Sequence, residues 1–228
     1  MMTFIAVIIV LFALFLIYAS FDFRLGVYVM TVFQLPFKGN NLLLTFDDGP
    51  HPEITPIILD ILKKYKIQAT FFCVGDNIEK NKALVERIID EGHFVGNHTN
   101  SHSNSFPVFS SRKMKLDIDE CRNRIVSVSS SDYPRLFRPP FGVTTPSLRK
   151  ALKNSGYTIV GWNIRAFDTV IKSPEKVVKS INKQLKPGGI ILLHDTQPNT
   201  PHILKRVIKY ALTKGYVFGR IDELLVLD

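Results

Sequence analysis

Cysteine and tryptophan are scarce in this chain, and its first 21 residues carry no charged side chain. Each shortage excludes something. Two cysteines, Cys73 and Cys121, with no CxxC between them, rule out a disulfide-stapled scaffold, a zinc finger and a dithiol redox centre. Cys73 lies in the apolar run 69–74, which predicts a buried thiol; a Cys73–Cys121 disulfide stays open for a chain outside the cytoplasm. There are no solenoid-period repeats and no low-complexity tracts, so the 228 residues read as one domain with its own core. Acidic residues are the minority, 20 against 29 Lys and Arg, for a net charge of +9. That balance fits either an acidic partner (nucleic acid, an anionic membrane or a cell-wall polymer) or a solvated Lys-rich surface. Lys63, Lys64, Lys176, Lys179 and Lys183 fall at helical spacing among apolar residues. Basic and aromatic residues nowhere alternate as a nucleic-acid platform requires, so no nucleic-acid partner is expected.

The uncharged start is itself a signal. Residues 4–19 are almost wholly apolar and the first charge is Asp22. That length spans a bilayer, which takes about 20 residues, and no polar face is left of the kind a soluble helix shows. A cleaved signal peptide would need a basic start and a small-residue cleavage site. Met1-Met2-Thr3 and Ile17-Tyr18-Ala19-Ser20 supply neither. The reading is an uncleaved transmembrane anchor over 1–21, a linker over 22–40 and a globular domain over 41–228. Arg24 and Lys38 follow the anchor, which by the positive-inside rule weakly favours a cytoplasmic domain.

Beyond the linker, strand and helix patterns alternate. Residues 42–46 form a short apolar run, read as a buried strand, and Ile54, Ile57, Ile58, Ile61, Leu62 and Tyr65 mark one helical face. Strands are expected at 69–74, 94–96, 136–137, 157–162, 190–193 and 216–218. Helices are expected around 84–89, 114–128, 146–154, 174–185 and 203–211, with Pro146 near a start and Gly92 and Gly156 after ends. The alternation implies parallel strands with right-handed crossovers. The fold class is α/β, a distorted or incomplete (β/α) barrel of about seven strands preceded by one transmembrane helix. A doubly wound open sheet has the same periodicity and stays open.

In such folds the site lies at the C-terminal ends of the strands, where this sequence concentrates its reactive side chains. Asp47 and Asp48 follow the first strand, His98 and His102 the third, and Arg138 the fourth. Asp168 lies in the loop after the fifth, and His194-Asp195 end the sixth. His98-x-x-x-His102 with one carboxylate, Asp47 or Asp48, makes a three-ligand set with a position left for water. Adjacent aspartates in a strand point to opposite sides, so one can hold a metal while the other handles a proton. Asp-Gly-Pro at 48–50 is equally a turn signal. His194 is a candidate general acid or a satisfied core histidine. Arg138, stiffened by the prolines after it, can orient a carboxylate bidentately.

Together the segments Thr45-Phe46-Asp47-Asp48-Gly49-Pro50, Asn97-His98-Thr99-Asn100-Ser101-His102, Arg138-Pro139-Pro140-Phe141-Gly142 and Leu192-Leu193-His194-Asp195 resemble the polysaccharide deacetylase family, also called carbohydrate esterase family four or the NodB-homology domain. Order and separation match as well, and the resemblance runs from about residue 41 to the end. It implies a metal-dependent hydrolase that removes N-acetyl groups from an N-acetylglucosamine-containing polysaccharide, peptidoglycan- or chitin-like. The alternatives are an O-acetyl sugar esterase and a non-catalytic carbohydrate-binding member.

The resemblance makes Asp47 the general base. Asp48, His98 and His102 become ligands of one divalent metal, Zn²⁺ first, with Co²⁺, Ni²⁺ or Mn²⁺ able to substitute. Arg138 orients the base, and the Phe141 N–H holds the oxyanion. Leu192 packs on the acetyl methyl, His194 is the general acid, and Asp168 orients His194. The expected partners are an acetylated saccharide and, through the anchor, a membrane, with the domain outside the cytoplasm. The segment 162–169 departs from the family: Arg165 stands where the first of two aspartates is usual, and Thr169 where Trp is usual. Both changes fall on the sugar-binding wall.

Overall fold

The computed structural model describes residues 1–35 and 39–224. Residues 36–38, inside the expected linker and including Lys38, and residues 225–228, at the end of the expected globular domain, lie outside the described residues.

Helix α1 (Met2–Phe21) is 20 residues long; an 18-residue stretch of it has a mean hydropathy of 2.9 and is only 6% buried. It stands out from the body as a rod of about 30 Å, long and apolar enough to cross a membrane. The body then runs β1 (Asn41–Asp47), α2 (Ile54–Tyr65), β2 (Thr70–Cys73), α3 (Gly75–Lys80), α4 (Lys82–Asp90), β3 (Phe94–Asn97) and α5 (Ser111–Val126). It continues through β4 (Leu136–Phe137), α6 (Pro146–Ala151), β5 (Thr158–Ile159), β6 (Ile164–Arg165), α7 (Pro174–Gln184), β7 (Gly189–His194), α8 (Thr200–Thr213) and β8 (Val217–Phe218). Helix starts follow local chemistry. Ser110, Thr145 and Ser173 each accept the N–H three residues on, and Pro146 and Pro174 take first-turn positions where a missing N–H costs nothing.

All pairings between named strands are parallel, in the order β5-β4-β3-β2-β1-β7-β6, with β8 beside the start of β1. The sheet curls into a seven-stranded half-barrel, which decides against the doubly wound alternative. Strand parity divides the apolar residues between two faces. Leu42, Leu44, Phe46, Phe71, Val95, Ile191 and Leu193 pack outward under the helices. Leu43, Phe72, Leu136, Val160 and Ile190 fill the concave interior.

Two features differ from the periodicity reading. The strand expected over 157–162 shrinks to β5 at 158–159, and a second strand, β6, follows beyond it on the opposite edge of the sheet. After β5 the chain bends at Asn163, whose N–H reaches the Ile190 carbonyl before β6 pairs with β7. A two-residue strand such as β6 leaves no periodic signal. The stretch expected as a linker packs on the domain over its described residues. Val32 bridges Val160 in parallel, Gln34 bridges Gly189, and Leu35 N–H donates to Gly188. It therefore lies across the gap between the two sheet edges. Cys73 and Cys121 are separate buried thiols, with Cys121 Sγ donating to the Cys73 carbonyl.

Candidate active site

The parity that sends Leu43 and Ile190 inward continues to the strand ends. Asp47 follows Leu43 by four residues, Leu192 and His194 follow Ile190 by two and four, Arg138 follows Leu136 by two, and His98 follows Phe94 by four. All therefore face the concave side at its C-terminal mouth. Gly96, between Phe94 and His98, has to be glycine, because a Cβ there would run into the Phe72 ring.

Arg138 is fully buried and forms the floor. Its Nη1 donates to Asp47 Oδ1 at 2.6 Å and to Thr45 Oγ1 at 2.9 Å. Its Nε and Nη2 donate to the Val160 and Gly161 carbonyls, each at 2.9 Å, and the guanidinium lies 4.1 Å from the Phe72 ring centre. The same side chain thus ties the segment that crosses from β5 to β6 to the Asp47 carboxylate. Burial lowers its pKa, and the Asp47 charge opposes that shift. One Asp47 oxygen is thereby held, and the other lies 3.8 Å from His98 Nε2.

Asp48 turns the other way because it adopts a left-handed backbone, φ 74°. Its Oδ1 is 3.4 Å from both His98 Nε2 and His102 Nε2. His98 Nδ1 is engaged with the Arg138 carbonyl at 2.8 Å, which leaves Nε2 as the ring nitrogen that faces Asp48. Asp48, His98 and His102 can hold a metal ion. Donors about 2.0–2.1 Å from a tetrahedral zinc lie about 3.3–3.4 Å apart, which these separations match. Burial alone would raise the Asp48 pKa. The hydrogen bond and charge of His98, then His102 and His194, instead hold it at about 2. Burial lowers the His102 pKa, with the His98 charge adding to it. Both shifts favour the forms that bind a cation.

Across the mouth, Asp168 grips His194 twice. Its Oδ1 takes Nδ1 at 2.9 Å and its Oδ2 accepts the His194 backbone N–H at 2.8 Å. Nε2 is the ring nitrogen left for the cleft. Burial pushes the imidazole pKa down, but the hydrogen bond and charge of Asp168, aided by Asp47 and Asp48, carry it to about 9. The Phe141 ring lies 5.0 Å from that of His102, and Leu192 pairs in register with Thr45 and Arg165.

Among the described residues, five of the seven non-glycine positions with positive φ are Asp48, Thr99, His102, Phe141 and Phe167. Such conformations cost energy and gather where a site over-determines the backbone. All the site residues expected from the sequence meet at this mouth. Sequence reasoning missed its supports. Asp195 Oδ2 accepts from Thr55 Oγ1 at 2.6 Å with Gly49 packed on its carboxylate, and burial raises its pKa to about 7. Asn77 Nδ2 holds the Asp48 carbonyl at 2.8 Å. Asp195 beside His194 was a visible signal; nothing in the sequence ties either residue to Thr55 or Asn77.

A curled parallel sheet carries at its mouth an Asp–His–His set able to hold a metal ion, with a second carboxylate and a histidine beside it. The family model for polysaccharide deacetylases matches residues 35–160. A peptidoglycan-N-acetylglucosamine deacetylase of Bacillus cereus is 35% identical over 84% of this chain and 91% of its own length. The peptidoglycan-N-acetylmuramic acid deacetylase PdaA of Bacillus subtilis is 30% identical over 82% of this chain and 72% of its own. The crystal structure of the Bc1960 peptidoglycan N-acetylglucosamine deacetylase with a hydroxamate superposes with a TM-score of 0.79 at 31% identity, covering 85% of this chain and 91% of that one. The chain belongs to the polysaccharide deacetylase family, carbohydrate esterase family four, and is a hydrolase of that family.

Proposed function

We propose that this chain hydrolyses the N-acetyl group of an N-acetylglucosamine-containing envelope glycan, using one divalent metal held by Asp48, His98 and His102. Helix α1 is its membrane anchor and the domain lies outside the cytoplasm, where such a glycan is found. One observation carries the reading: the Asp47 oxygen not held by Arg138 points at the three-residue donor set, with a His194 of raised pKa on the same mouth. Binding of a glycan alone would require neither feature.

A bound Zn²⁺, or Co²⁺, Ni²⁺ or Mn²⁺ in its place, would polarise the acetamide carbonyl and acidify water. Asp47 takes the proton from the attacking water, its charge fixed in place by Arg138. The Phe141 N–H faces the oxygen on which negative charge develops; a donor of this kind contributes about 3–4 kcal/mol. Leu192 supplies an apolar contact for the acetyl methyl. His194, protonated at neutral pH, gives its proton to the departing nitrogen, because an amide anion is too basic to leave unaided. Asp168 keeps that proton on the ring facing the substrate. The products are acetate and a free amino sugar.

The test is acetate release by the full-length chain in detergent from N-acetylglucosamine oligomers and peptidoglycan, with Zn²⁺ and with chelator. Release should stop with chelator and in Asp47→Asn. Undiminished release by Asp47→Asn would overturn the assignment.

A further inference from the structure

The end of the membrane helix is docked at the mouth of this site. Thr144 N–H, two residues beyond Gly142, donates to the Ser20 carbonyl at 2.9 Å, and Tyr28 Oη donates to the Leu16 carbonyl at 3.0 Å. Phe23 is buried, edge-on to Trp162 with ring centres 4.8 Å apart. It fills a slot that exists because positions 142 and 161 are glycine: a Cβ at either would press on its ring.

Between this segment and the residues around the bend at Asn163 lies a cleft of about 290 Å³, walled by Phe21, Arg24, Phe141, Trp162, Arg165 and Phe167. That is near the small end for sites that hold small molecules, about 300 Å³. It adjoins the catalytic centre on two sides, since Phe141 touches His102 and Phe167 precedes Asp168. Its charge is unbalanced. The one carboxylate on its wall, Asp22, is taken bidentately by Arg24 at 2.6 and 2.7 Å. The Arg165 backbone is pinned on both sides by Gln184. Its guanidinium lies 4.7 Å from the Phe167 ring centre and 5.8 Å from that of Trp162, with no carboxylate within salt-bridge distance among the described residues. A planar cation stacked on aromatics, with its donor edge free, is arranged for an oxyanion.

We propose that this cleft is a composite subsite, half of it built by the membrane-helix end, for an anionic group on the saccharide next to the acetylated sugar, with Arg165 as the anchoring residue. The aromatic walls take the sugar faces, and Arg165 takes a carboxylate or phosphate. Because the apolar helix ends at the cleft wall, the group is met at the bilayer surface. The proposal rests on the deacetylase reading for the identity of the saccharide.

Binding, not turnover, tests it. Full-length protein in detergent with chelator is titrated with three probes of equal length: a neutral N-acetylglucosamine oligomer, a glycan containing the carboxylate of N-acetylmuramic acid, and an N-acetylglucosamine oligomer 1-phosphate. At least one acidic probe should bind five-fold or more tightly than the neutral one. Arg165→Gln should bring that ratio to about one while moving the neutral probe less than two-fold, and Arg165→Lys should keep part of it. Phe21→Ala, at a largely exposed position, should weaken all three probes. Preference for the phosphate alone identifies a lipid-carrier saccharide; preference for the carboxylate alone identifies wall glycan. Equal affinities for all probes, or a ratio that survives Arg165→Gln, overturns the anionic subsite. Unchanged binding in Phe21→Ala removes the membrane helix from it. A persistent preference without acetate release under metal would sink the deacetylase reading and leave the subsite standing.

Discussion

Replacing Arg138 by Met removes a fully buried cation that holds four acceptors at once. Asp47 Oδ1, Thr45 Oγ1 and the carbonyls of Val160 and Gly161 all lie within 2.6–2.9 Å of its nitrogens. Met keeps much of the volume, so the loss is electrostatic: an Asp47 carboxylate stranded in the interior and two carbonyls without donors. Breaking a buried pair from one side costs about 3–5 kcal/mol. At about 2–4 °C per kcal/mol for a chain of this size, the melting temperature of the full-length protein should fall by about 6–20 °C, measured with chelator so that no metal contributes. Asp47→Asn removes the stranded charge in advance. In that background Arg138→Met should cost at least about 1 kcal/mol less, the coupling expected of contacting residues. Equal costs in both backgrounds, within about 0.5 kcal/mol, would refute the view that Arg138 serves chiefly the Asp47 charge and would make it a brace for the Val160 and Gly161 carbonyls.

Asp168→Asn should draw the His194 pKa down from about 9, so activity that needs the protonated ring should vanish at lower pH in a pH–rate profile; an unmoved alkaline limb would count against the pair. His194 holds its proton to about pH 9 folded and about 6.5 unfolded. The stability it adds is therefore complete below about 6.5 and is lost as pH rises through 9, and Asp168→Asn should shrink that loss in melts run across this window. Saturating Zn²⁺ at about 100 times its Kd should add about 2.7 kcal/mol of stability to the parent chain and none to His98→Ala/His102→Ala; an equal gain in both would place the metal elsewhere. Phe23→Ala should cost about 3–5 kcal/mol, as for a buried core phenylalanine, and a cost below 1 kcal/mol in chemical unfolding would show that the helix end is not docked on the body.

Much of the site was legible because its chemistry is written in short, contiguous segments. Asp47-Asp48, His98-x-x-x-His102 and His194-Asp195 each close an apolar run, and a side chain at the end of a buried parallel strand has few places to go but the mouth. The fold was legible down to strand and helix order for the same reason: period-two and period-3.6 patterns survive in long elements. They fail in short ones. β6 is two residues long, and the crossing segment before it has its Val160 and Gly161 carbonyls capped by Arg138, a contact between residues 22 and 23 positions apart. The stretch 22–35 looked like a linker because its pairing partners, Val160, Gly188 and Gly189, are more than a hundred residues away.

By itself, the sequence determined the alternation of strands and helices and the apolar rod at the start, since both follow from local periodicity. Only the tertiary structure decided which carboxylate oxygen Arg138 holds and that the apolar N-terminal helix ends against the mouth of the site. Those outcomes turn on side chains meeting across the barrel, where distance along the chain carries no information about distance in space.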